Sequence, residues 1–459
     1  MDVVVVGLGV GGEEVAGRLA EAGLTVVGIE QRLVGGECPY WGCIPSKMMI
    51  RAGNALAEAR RIDQLAGRAR VEPDWAPVAA RIRAEATADW DDTAAVERFT
   101  GKGGRFVRGS GTLDGPGRVR AGDDVFQASR GIVIGTGTSA VVPPIEGLAG
   151  TPYWTNREAI EVAELPESLV VLGGGAIGVE LAQVFARFGV RVTVIEGSDR
   201  LLAVEEPESS KLAAEALGAD GVAIRTGVRA QRVSYAGDGF TLQLSAGESV
   251  RGEKLLVATG RSARLDGLGL ESVGVDTGQK FLPVDDRMRL TGGEPAAERI
   301  WVVGDVTGKG PFTHTAMYQA GVAVRDILEL PGPPADYRAM PRVTFTDPEI
   351  GVVGLTERQA REQGVSVQVG TTLLASSSRG FIHGPGNEGF IKLVADADRG
   401  VLVGATSAGP TGGEVLSALE VAVAAEVPLA TLRHMIWAYP TLHRAIGDAL
   451  ADLPRQAPR

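Results

Sequence analysis

The sequence is poor in cysteine, in long apolar runs and in positive charge, and each shortage excludes a class of protein. Two cysteines in 459 residues make no disulfide framework of the secreted type. No apolar run reaches the roughly 18 residues of a membrane helix, so we expect no membrane insertion. The net charge of −11 argues against a nucleic-acid partner, which usually requires a basic patch.

What remains is typical of a globular protein. Hydrophobic residues make up 44% and charged residues 22% of the chain, and the length suggests two to four domains. The chain starts at Met1 and an apolar strand begins already at Val3, so we expect no signal peptide and a cytoplasmic location. The 64 glycines indicate many tight turns and phosphate-type loops.

A repeat organises the first half of the chain. Residues 3–30 read VVVVGLGVGGEEVAGRLAEAGLTVVGIE, and residues 169–196 read LVVLGGGAIGVELAQVFARFGVRVTVIE, without a gap at an offset of 166. Each copy predicts a buried strand, a glycine turn, a helix and a second strand. Identical positions, in the numbering of the first copy, include Gly7, Gly9, Gly12, Glu14, Ala16, Ala20, Gly23, Val26, Ile29 and Glu30.

The chemistry of a dinucleotide explains this pattern. The G-x-G-x-x-G turn lets a pyrophosphate approach the backbone at a helix N-terminus, and the terminal Glu30 or Glu196 can accept from a ribose hydroxyl. Two copies in one register predict two dinucleotide sites. The alternative is a doubly wound scaffold that binds nothing.

Other segments extend the same α/β pattern. Three more apolar strands end in glycine turns: GIVIGTG (131–137), KLLVATGR (254–261) and RIWVVGDVTG (299–308). Alternating residues around 105–126 and 240–250 predict antiparallel hairpins. From about Pro341 the character changes to a separate C-terminal α+β domain, in which GGEVLSALEVAVAAEV (412–427) predicts a buried helix.

Both cysteines lie in GGECPYWGCIPSK (35–47), with four residues between them. An apolar stripe after Pro45 predicts a helix whose dipole, together with Lys47, would lower the pKa of the thiols. The spacing allows a disulfide to form and break in one loop. Two incidental buried thiols are the alternative. We expect no metal site, since there are four histidines and no second cysteine pair.

With this thiol pair the sequence resembles the flavoprotein disulfide reductases, the class I pyridine nucleotide-disulfide oxidoreductases that include lipoamide dehydrogenase, glutathione reductase and mercuric reductase. Their motif typically reads G-G-T-C-x-x-x-G-C-I-P-S/T-K, and the resemblance covers essentially the whole chain. It implies two Rossmann-like dinucleotide-binding domains and a C-terminal α+β dimerisation domain. The implied FAD-binding domain is 1–148 with 265–337, the NAD(P)-binding domain 149–264, and the dimerisation domain 338–459.

The resemblance also implies roles for single residues. Cys43 would face the flavin, Cys38 would exchange with substrate, and Lys47 would lie near the flavin's reactive nitrogen, paired with Glu180. Residues implied to bind FAD are Gly7, Gly9, Gly12, Glu30, Gly36, Gly137, Gly304 and Asp305. Residues implied to bind the nicotinamide cofactor are Gly173, Gly175, Gly178, Glu196 and Gly260. A homodimer would share each active site between chains.

The carboxylate of Glu196 favours NADH over NADPH, because it accepts from a free ribose hydroxyl and repels a 2′-phosphate. Arg191 and Arg200 flank the same strand and could help a 2′-phosphate, or they could be solvated surface residues.

The C-terminal segment departs from the family. Disulfide-reducing members usually carry H-P-T-x-x-E there, with the histidine as acid/base. This chain reads WAYPTLHRAIGDAL, with Tyr439 in place of the histidine and Arg444 in place of the glutamate. A phenol is a poor base near neutral pH, but Tyr439 can donate a hydrogen bond or act as an acid. His443 and His314 are candidate substitutes.

The loop between the thiols also differs from that of the family, with Pro39, Tyr40 and Trp41 where members often carry smaller residues. The aromatic rings could pack under the loop or line a site for a flat acceptor.

We therefore expect an FAD-dependent NAD(P)H oxidoreductase with a redox-active Cys38–Cys43 disulfide that reduces a disulfide or similar acceptor. The alternatives are direct reduction of a quinone by the flavin, mercuric reduction and a lipoamide dehydrogenase activity. Mercuric reductases carry a C-terminal cysteine pair, and mercuric reduction is disfavoured because no cysteine follows Cys43 in this chain. The missing C-terminal histidine–glutamate dyad counts against lipoamide dehydrogenase.

Overall fold

The computed structural model describes residues 1–293 and 299–454, and the chain divides into two compact units. The first unit comprises Met1–Ser46, Ala79–Val141 and Gly260–Asp336. The second comprises Lys47–Val78, Val142–Thr259 and Tyr337–Arg459. The three-domain division stays a prediction from the sequence.

The strands of the described residues are, in chain order, β1 (Val3–Val6), β2 (Val26–Glu30), β3 (Arg105–Arg108), β4 (Gly111–Leu113), β5 (Arg118–Ala121), β6 (Asp124–Gln127), β7 (Gly131–Ile134), β8 (Thr138–Ala140), β9 (Ser168–Leu172), β10 (Arg191–Ile195), β11 (Ala223–Arg225), β12 (Ala230–Tyr235), β13 (Phe240–Leu244), β14 (Ser249–Gly252), β15 (Lys254–Val257), β16 (Arg261–Ala263), β17 (Ile300–Val302), β18 (Pro341–Thr344), β19 (Glu349–Gly354), β20 (Val367–Leu373), β21 (Phe390–Asp396) and β22 (Val401–Gly409).

The α-helices of the same residues are α1 (Val10–Glu21), α2 (Glu37–Trp41), α3 (Cys43–Arg61), α4 (Ala76–Arg81), α5 (Thr93–Gly101), α6 (Asn156–Glu161), α7 (Ala176–Arg187), α8 (Pro207–Ala219), α9 (Thr313–Ile327), α10 (Glu357–Glu362), α11 (Ser378–His383), α12 (Gly412–Val415), α13 (Ser417–Ala424), α14 (Leu429–His434) and α15 (Ala445–Asp452). Short 3₁₀ turns span Ile62–Gln64, Leu270–Val273, Asp305–Thr307, Leu374–Ser376 and Leu442–Arg444, and a π-helical turn spans Ile82–Ala86.

The first unit is built on a parallel sheet in the order β17-β7-β1-β2-β3. Its central strand β1 consists of four fully buried valines, as expected for a strand covered on both faces. An antiparallel sheet β4-β5-β6 and the pair β8-β16 complete the unit. One apolar core joins the parallel sheet to Val119 and Phe126 of the antiparallel sheet.

The second unit contains a parallel sheet in the order β11-β10-β9-β15 and an antiparallel sheet β12-β13-β14. The antiparallel sheet β18-β19-β22-β21-β20 follows in the C-terminal part of the chain. All residues of β21 are buried. A core that includes Ile391 and Leu393 of this strand and Ile446 and Leu450 of α15 stabilises this region.

These sheets confirm the predicted fold class of two Rossmann-like halves and a C-terminal α+β sheet. Two details of the prediction are wrong. Residues 105–108 join the parallel sheet beside β2 instead of a hairpin, because their backbone completes that sheet edge. Residues 412–427 form two short helices, α12 and α13, and Val421 is 64% exposed, since only one face of α13 meets the core.

Candidate active site

The first glycine turn is shaped by contacts within the chain at two of its three glycines. Gly7 has φ +90°, and a Cβ there would lie 2.7 Å from the Gly135 carbonyl oxygen. A Cβ on Gly12 would lie 1.9 Å from the Gly7 oxygen. A Cβ on Gly9, in contrast, would meet nothing closer than 3.8 Å. The protein's own packing therefore explains Gly7 and Gly12, and Gly9 leaves space above the backbone.

Glu30 ties this turn to the end of β2. Its carboxylate accepts from Leu8 N at 2.8 Å and from Arg32 N at 2.7 Å, and the residue is only 9% exposed. Each carboxylate oxygen has a second lone pair, so Glu30 can still accept from a ribose hydroxyl.

The second repeat reproduces this arrangement of glycine turn and terminal carboxylate. Gly173 has φ +111°, and a Cβ on Gly178 would lie 2.0 Å from the Gly173 oxygen. A Cβ on Gly175 would meet nothing within 4 Å. The carboxylate of Glu196 accepts from Gly174 N and from Ser198 N, each at 2.6 Å.

The charge of Glu196 is stabilised by these contacts. Burial alone would raise its pKa, but the hydrogen bonds from Ser198 and Gly174 outweigh burial, and the pKa lies below its ordinary value. Arg229 also lowers the pKa, and its guanidinium packs at Gly197. The repeat carries no signal for Arg229, which follows it by more than 30 residues.

The two arginines that the sequence suggested for a 2′-phosphate are engaged elsewhere. Arg191 lies 3.6 Å from Glu167 in an exposed ion pair. Arg200 donates to the carbonyl oxygens of Ala203 and Glu205, at 2.8 and 2.9 Å.

Asp305 lies at the end of β17 in a polar cluster of the first unit. Its Oδ2 accepts from Thr138 Oγ1 at 2.9 Å, and Arg261 Nε donates to the same hydroxyl at 2.8 Å. Burial raises the pKa of Asp305, although Thr138 and Arg261 oppose that rise. The sequence contained a signal for both partners, since each directly follows a glycine turn, at Gly137 and Gly260.

The remaining glycines assigned to cofactors share a backbone property. Each has a positive φ, which favours glycine over other residues. The angles are +70° at Gly36, +67° at Gly137, +128° at Gly260 and +84° at Gly304. A Cβ at Gly137 or Gly260 would meet nothing within 4 Å.

The thiols occupy two successive helix starts. Cys38 is the second residue of α2, and Cys43 is the first residue of α3. The expected helix thus begins earlier than after Pro45, because a proline is tolerated in the first turn, where its missing N–H has no helical partner. The two sulfurs are not joined in a disulfide.

Their electrostatics differ from the expectation at Cys38. The hydrogen bond with Cys43 and burial raise the pKa of the Cys38 thiol, while a hydrogen bond with Thr313 lowers it. The expected lowering is therefore wrong for Cys38. Cys43 Sγ lies 3.4 Å from Thr313 Oγ1. Thr313 is 270 residues away from Cys43 along the chain, so the thiol motif carries no signal for it.

The thiol loop is anchored at its N-terminal end and, through Tyr40, between the two cysteines. Gly35 N donates to the Leu8 oxygen at 2.7 Å, which fixes the loop on the first glycine turn. Asp92 accepts from Val34 N at 2.7 Å, and Trp90 Nε1 donates to the Tyr40 oxygen at 3.3 Å.

The anchoring segment itself is unusual. Ala88, Asp89 and Trp90 all have φ between +48° and +57°, which costs a non-glycine residue free energy and is found where the surroundings impose it. Tyr40 is buried, as expected for a ring that packs under the loop, and it also lines the cavity beside the loop.

A cavity of about 490 Å³ opens beside the thiol loop, within the first unit. Cys38 lines it, together with Glu13, Glu14 and Gly17 on one face of α1, and Arg98 on α5. Arg98 Nη2 lies 2.5 Å from Glu13 Oε1, so this cation is already paired.

In the second unit, Lys47 Nζ lies 2.8 Å from Glu180 Oε2, the pair that the family resemblance implied. Glu180 is 6% exposed, and its Oε1 accepts from Phe345 N at 2.8 Å. Lys47 Nζ also lies 4.6 Å from the centre of the Phe345 ring. The buried carboxylate thus fixes the position of the lysine charge.

The C-terminal segment contains no imidazole–carboxylate pair at the family position. Tyr439 is 71% exposed, and Arg444 pairs with Asp448 at 2.9 Å. His443 Nε2 lies 3.4 Å from Thr441 Oγ1. In the first unit, His314 stacks on Phe312 with ring centres 5.2 Å apart.

Two further features concern residues 1–293 and 299–454. No helix there has both the length and the apolar character needed to cross a bilayer. Nor do histidine, cysteine, aspartate and glutamate side chains gather there in groups of three or more that could bind a metal.

Comparison with known proteins agrees with the glycine repeats and the thiol loop described above. The pattern described as pyridine nucleotide-disulphide oxidoreductase matches residues 1–320, and that family's dimerisation domain matches residues 340–450. The chain belongs to this family. Its members are FAD-dependent oxidoreductases that use NAD(P)H.

Individual relatives cover nearly the whole chain. Dihydrolipoyl dehydrogenase of Thermus scotoductus is 33% identical, over 99% of this chain and 98% of that protein. Mercuric reductase of Streptomyces lividans is 33% identical, over 97% and 94%. The solved structure of the HOCl-induced flavoprotein disulfide reductase RclA from Escherichia coli superposes with a TM-score of 0.84 at 27% identity, over 98% of this chain and 99% of that one.

The residues present fit the two cofactors of the family. Gly9 and Gly175 are not required by any contact of their own, yet each leaves room for a group close to the backbone at a helix N-terminus. A pyrophosphate requires such room. The acid at the end of the second strand completes the arrangement in both repeats.

Proposed function

We propose that this protein passes electrons from NADH, by way of FAD and the Cys38–Cys43 pair, to a disulfide acceptor that enters the cavity beside Cys38. The observation that carries the proposal is the position of the pair. Cys38 lines a cavity, Cys43 lies at the start of the next helix, and the loop that holds both is fixed on the first glycine turn.

The glycines and acids of the two repeats would hold the cofactors. Residues proposed to bind FAD are Gly7, Gly9, Gly12, Glu30, Gly36, Gly137, Gly304 and Asp305. Residues proposed to bind the nicotinamide cofactor are Gly173, Gly175, Gly178, Glu196 and Gly260. When bound, FAD supplies a two-electron carrier between nicotinamide and disulfide.

The dithiol would act by exchange. The Cys38 thiolate attacks one sulfur of the substrate disulfide, a mixed disulfide forms, and one substrate half leaves as a thiolate. Cys43 then attacks the Cys38 sulfur, which restores the Cys38–Cys43 disulfide and releases the second half. The two electrons that leave with the substrate thiols are those that the dithiol received.

Two charged groups would support this exchange. Lys47, positioned by Glu180, would supply positive charge where the flavin accepts electrons. Tyr439 would donate a hydrogen bond to a leaving thiolate in place of the histidine of other members, since a phenol can donate but is a poor base near neutral pH.

Two finer points belong to the same proposal. The ionised Glu196 favours NADH, because it repels a 2′-phosphate. A homodimer is supported by the dimerisation domain and by exposed apolar side chains in that region, such as Phe381 at 81% and Ile436 at 99%.

A second candidate is direct transfer from flavin to a quinone. The observation that favours it is the absence of a histidine and a glutamate at positions 439 and 444, since reduction of a quinone by flavin needs no acid for a thiolate.

Steady-state NADH oxidation separates the two candidates. FAD-loaded wild type and Cys38→Ser are compared with lipoamide, an oxidised low-molecular-weight thiol and a quinone as acceptors. We expect disulfide turnover in wild type, its loss by at least about a thousandfold in Cys38→Ser, and an unchanged quinone rate. Turnover of the quinone alone, equal in both proteins, would overturn the proposal in favour of direct transfer.

A further inference from the structure

An indole of the first unit is hydrogen-bonded to the backbone between the two cysteines. Helix α2, which contains Cys38, has only five residues, so the carbonyl groups at its end lack partners within the helix. The carbonyl oxygen of Tyr40, midway between Cys38 and Cys43, accepts from Trp90 Nε1 at 3.3 Å. A side chain 50 residues further along the chain thus holds the end of this helix.

The shape of this short stretch brings the backbones of the two cysteines together. Gly42 lies between α2 and α3, and a Cβ there would lie 3.0 Å from the Glu37 oxygen and 3.1 Å from Cys38 Cα. The chain directly before Cys43 therefore folds back on the start of α2, where Cys38 lies. A contact that holds α2 in this conformation also keeps Cys43 near Cys38.

The turn that presents the indole has an unfavourable backbone conformation. Ala88, Asp89 and Trp90 have φ of +48°, +57° and +57°. The other non-glycine residues with positive φ in the described parts of the chain occur singly. Such angles cost free energy, and they persist where the surroundings impose them, often at functional sites.

Buried polar side chains fix both flanks of this turn. Thr87 is 1% exposed and donates to the Ile82 oxygen at 3.1 Å. Asp92 is 8% exposed, accepts from Val34 N at 2.7 Å and pairs with Arg108. The three residues between these anchors have little freedom, and the left-handed turn that they form carries the indole to the thiol loop.

We propose that Trp90 is a positioning residue for the thiol exchange, because its bond to the Tyr40 oxygen holds Cys43 where it can attack the Cys38 sulfur. The inference rests on the proposed function. In that reaction one half of the substrate is joined to Cys38. The Cys43 thiolate then forms a bond with the Cys38 sulfur as the bond from Cys38 to the substrate breaks, and the electron pair leaves with the substrate thiolate.

The position of the loop affects the equilibrium between dithiol and disulfide. When the disulfide is open, a loop without the Trp90 bond has more conformations available, and only some of them bring the two sulfurs together. The closed disulfide restricts the loop in any case. Loss of the bond therefore favours the dithiol, because only the open state gains conformational freedom.

The test measures this equilibrium in Trp90→Phe, which keeps an aromatic ring and removes the N–H. Holoenzyme is equilibrated anaerobically with mixtures of reduced and oxidised dithiothreitol and quenched in acid denaturant, and its free thiols are counted with a maleimide. Dithiothreitol closes its own disulfide as it gives two electrons to the protein disulfide. We expect Trp90→Phe to be half reduced at an about fivefold higher ratio of oxidised to reduced dithiothreitol than wild type, as for one lost hydrogen bond.

Trp75→Phe is the matched control. Trp75 Nε1 also donates to a backbone oxygen, that of Val162 at 2.9 Å, and both residues belong to the second unit. The ratio at half reduction of Trp75→Phe should equal that of wild type.

Two results would overturn the inference. The ratio of Trp90→Phe could be equal to or below that of wild type, or Trp75→Phe could shift as far as Trp90→Phe, which would assign the effect to a general loosening of the protein. If Trp90→Phe does not fold, the benzothiophene analogue of tryptophan at position 90, which replaces the N–H by sulfur and keeps both rings, gives the same comparison. Because the measurement uses neither NADH nor an acceptor, its outcome is independent of whether Cys38→Ser loses disulfide turnover, and the two proposals fail separately.

Discussion

The two glycine repeats share one backbone arrangement, which we call the frame, but different segments of the chain dock on their turns. In both, the first and third glycines are required by the chain's own carbonyl oxygens, the middle glycine faces open space, and a glutamate accepts from two backbone N–H groups. After the first repeat, the loop that docks on the turn contains the dithiol, through Gly35. After the second, the docking residue is Leu202, and no thiol follows.

The comparison separates scaffold from function. The frame is forced by backbone geometry, so it recurs wherever a strand, a tight turn and a helix must pack closely. The segment that docks on the turn is not forced in this way, and under the proposed function only the segment after the first repeat, which contains both cysteines, passes electrons to a thiol.

The largest expected effect comes from the glycines that the frame requires. In Gly12→Ala and Gly178→Ala the new Cβ would lie about 2 Å from a carbonyl oxygen, and we expect each to lose about 2 kcal/mol or more of unfolding free energy. Urea unfolding of the apoprotein measures this. Gly218→Ala, with nothing within 4 Å of its Cβ, is the control and should not be destabilised. If both alanine variants unfolded at the same urea concentration as wild type, packing would not require glycine at these two positions.

The middle glycines should separate the repeats by cofactor. Gly9 and Gly175 have backbone angles that alanine adopts, with φ −65° and −78°, so both alanine variants should keep the unfolding midpoint of the apoprotein. We expect Gly9→Ala to bind FAD at least about tenfold more weakly, or about 1.4 kcal/mol. Gly175→Ala should raise the KM for NADH by a similar factor with full FAD content. Loss of FAD from Gly175→Ala would reverse the assignment.

The smallest expected effect concerns Glu196. Its folded pKa is lowered, so the carboxylate contributes stability at neutral pH that is lost as the pH falls through the folded value. Wild type should therefore melt at a higher temperature than Glu196→Gln at pH 7, and the difference should disappear as the pH falls through the lowered folded pKa of Glu196. Calorimetry across that range measures it, with the exposed Glu215→Gln as control. A difference that persists in acid would assign the effect to packing.

The sequence was sufficient for features that depend on local geometry. The glycine turns, the terminal acids and the thiol loop are each contained in fewer than 30 residues, and Lys47 with Glu180 followed from the family motif. Thr313, Arg229 and Asp92 could not be found in this way, because their contacts form only when distant segments pack together. The raised pKa of Cys38 likewise depends on burial and on Cys43, which a motif does not specify.

The central claim is that electrons from NADH reach the thiols above the first repeat. Because the chain has only two cysteines, a thiol count is unambiguous. Oxidised holoenzyme is reduced anaerobically with NADH, quenched in acid denaturant and labelled with a maleimide. The account predicts no labelled thiol before NADH and two per chain after it. A holoenzyme that oxidises NADH with a quinone yet gains no thiol would contradict the claim.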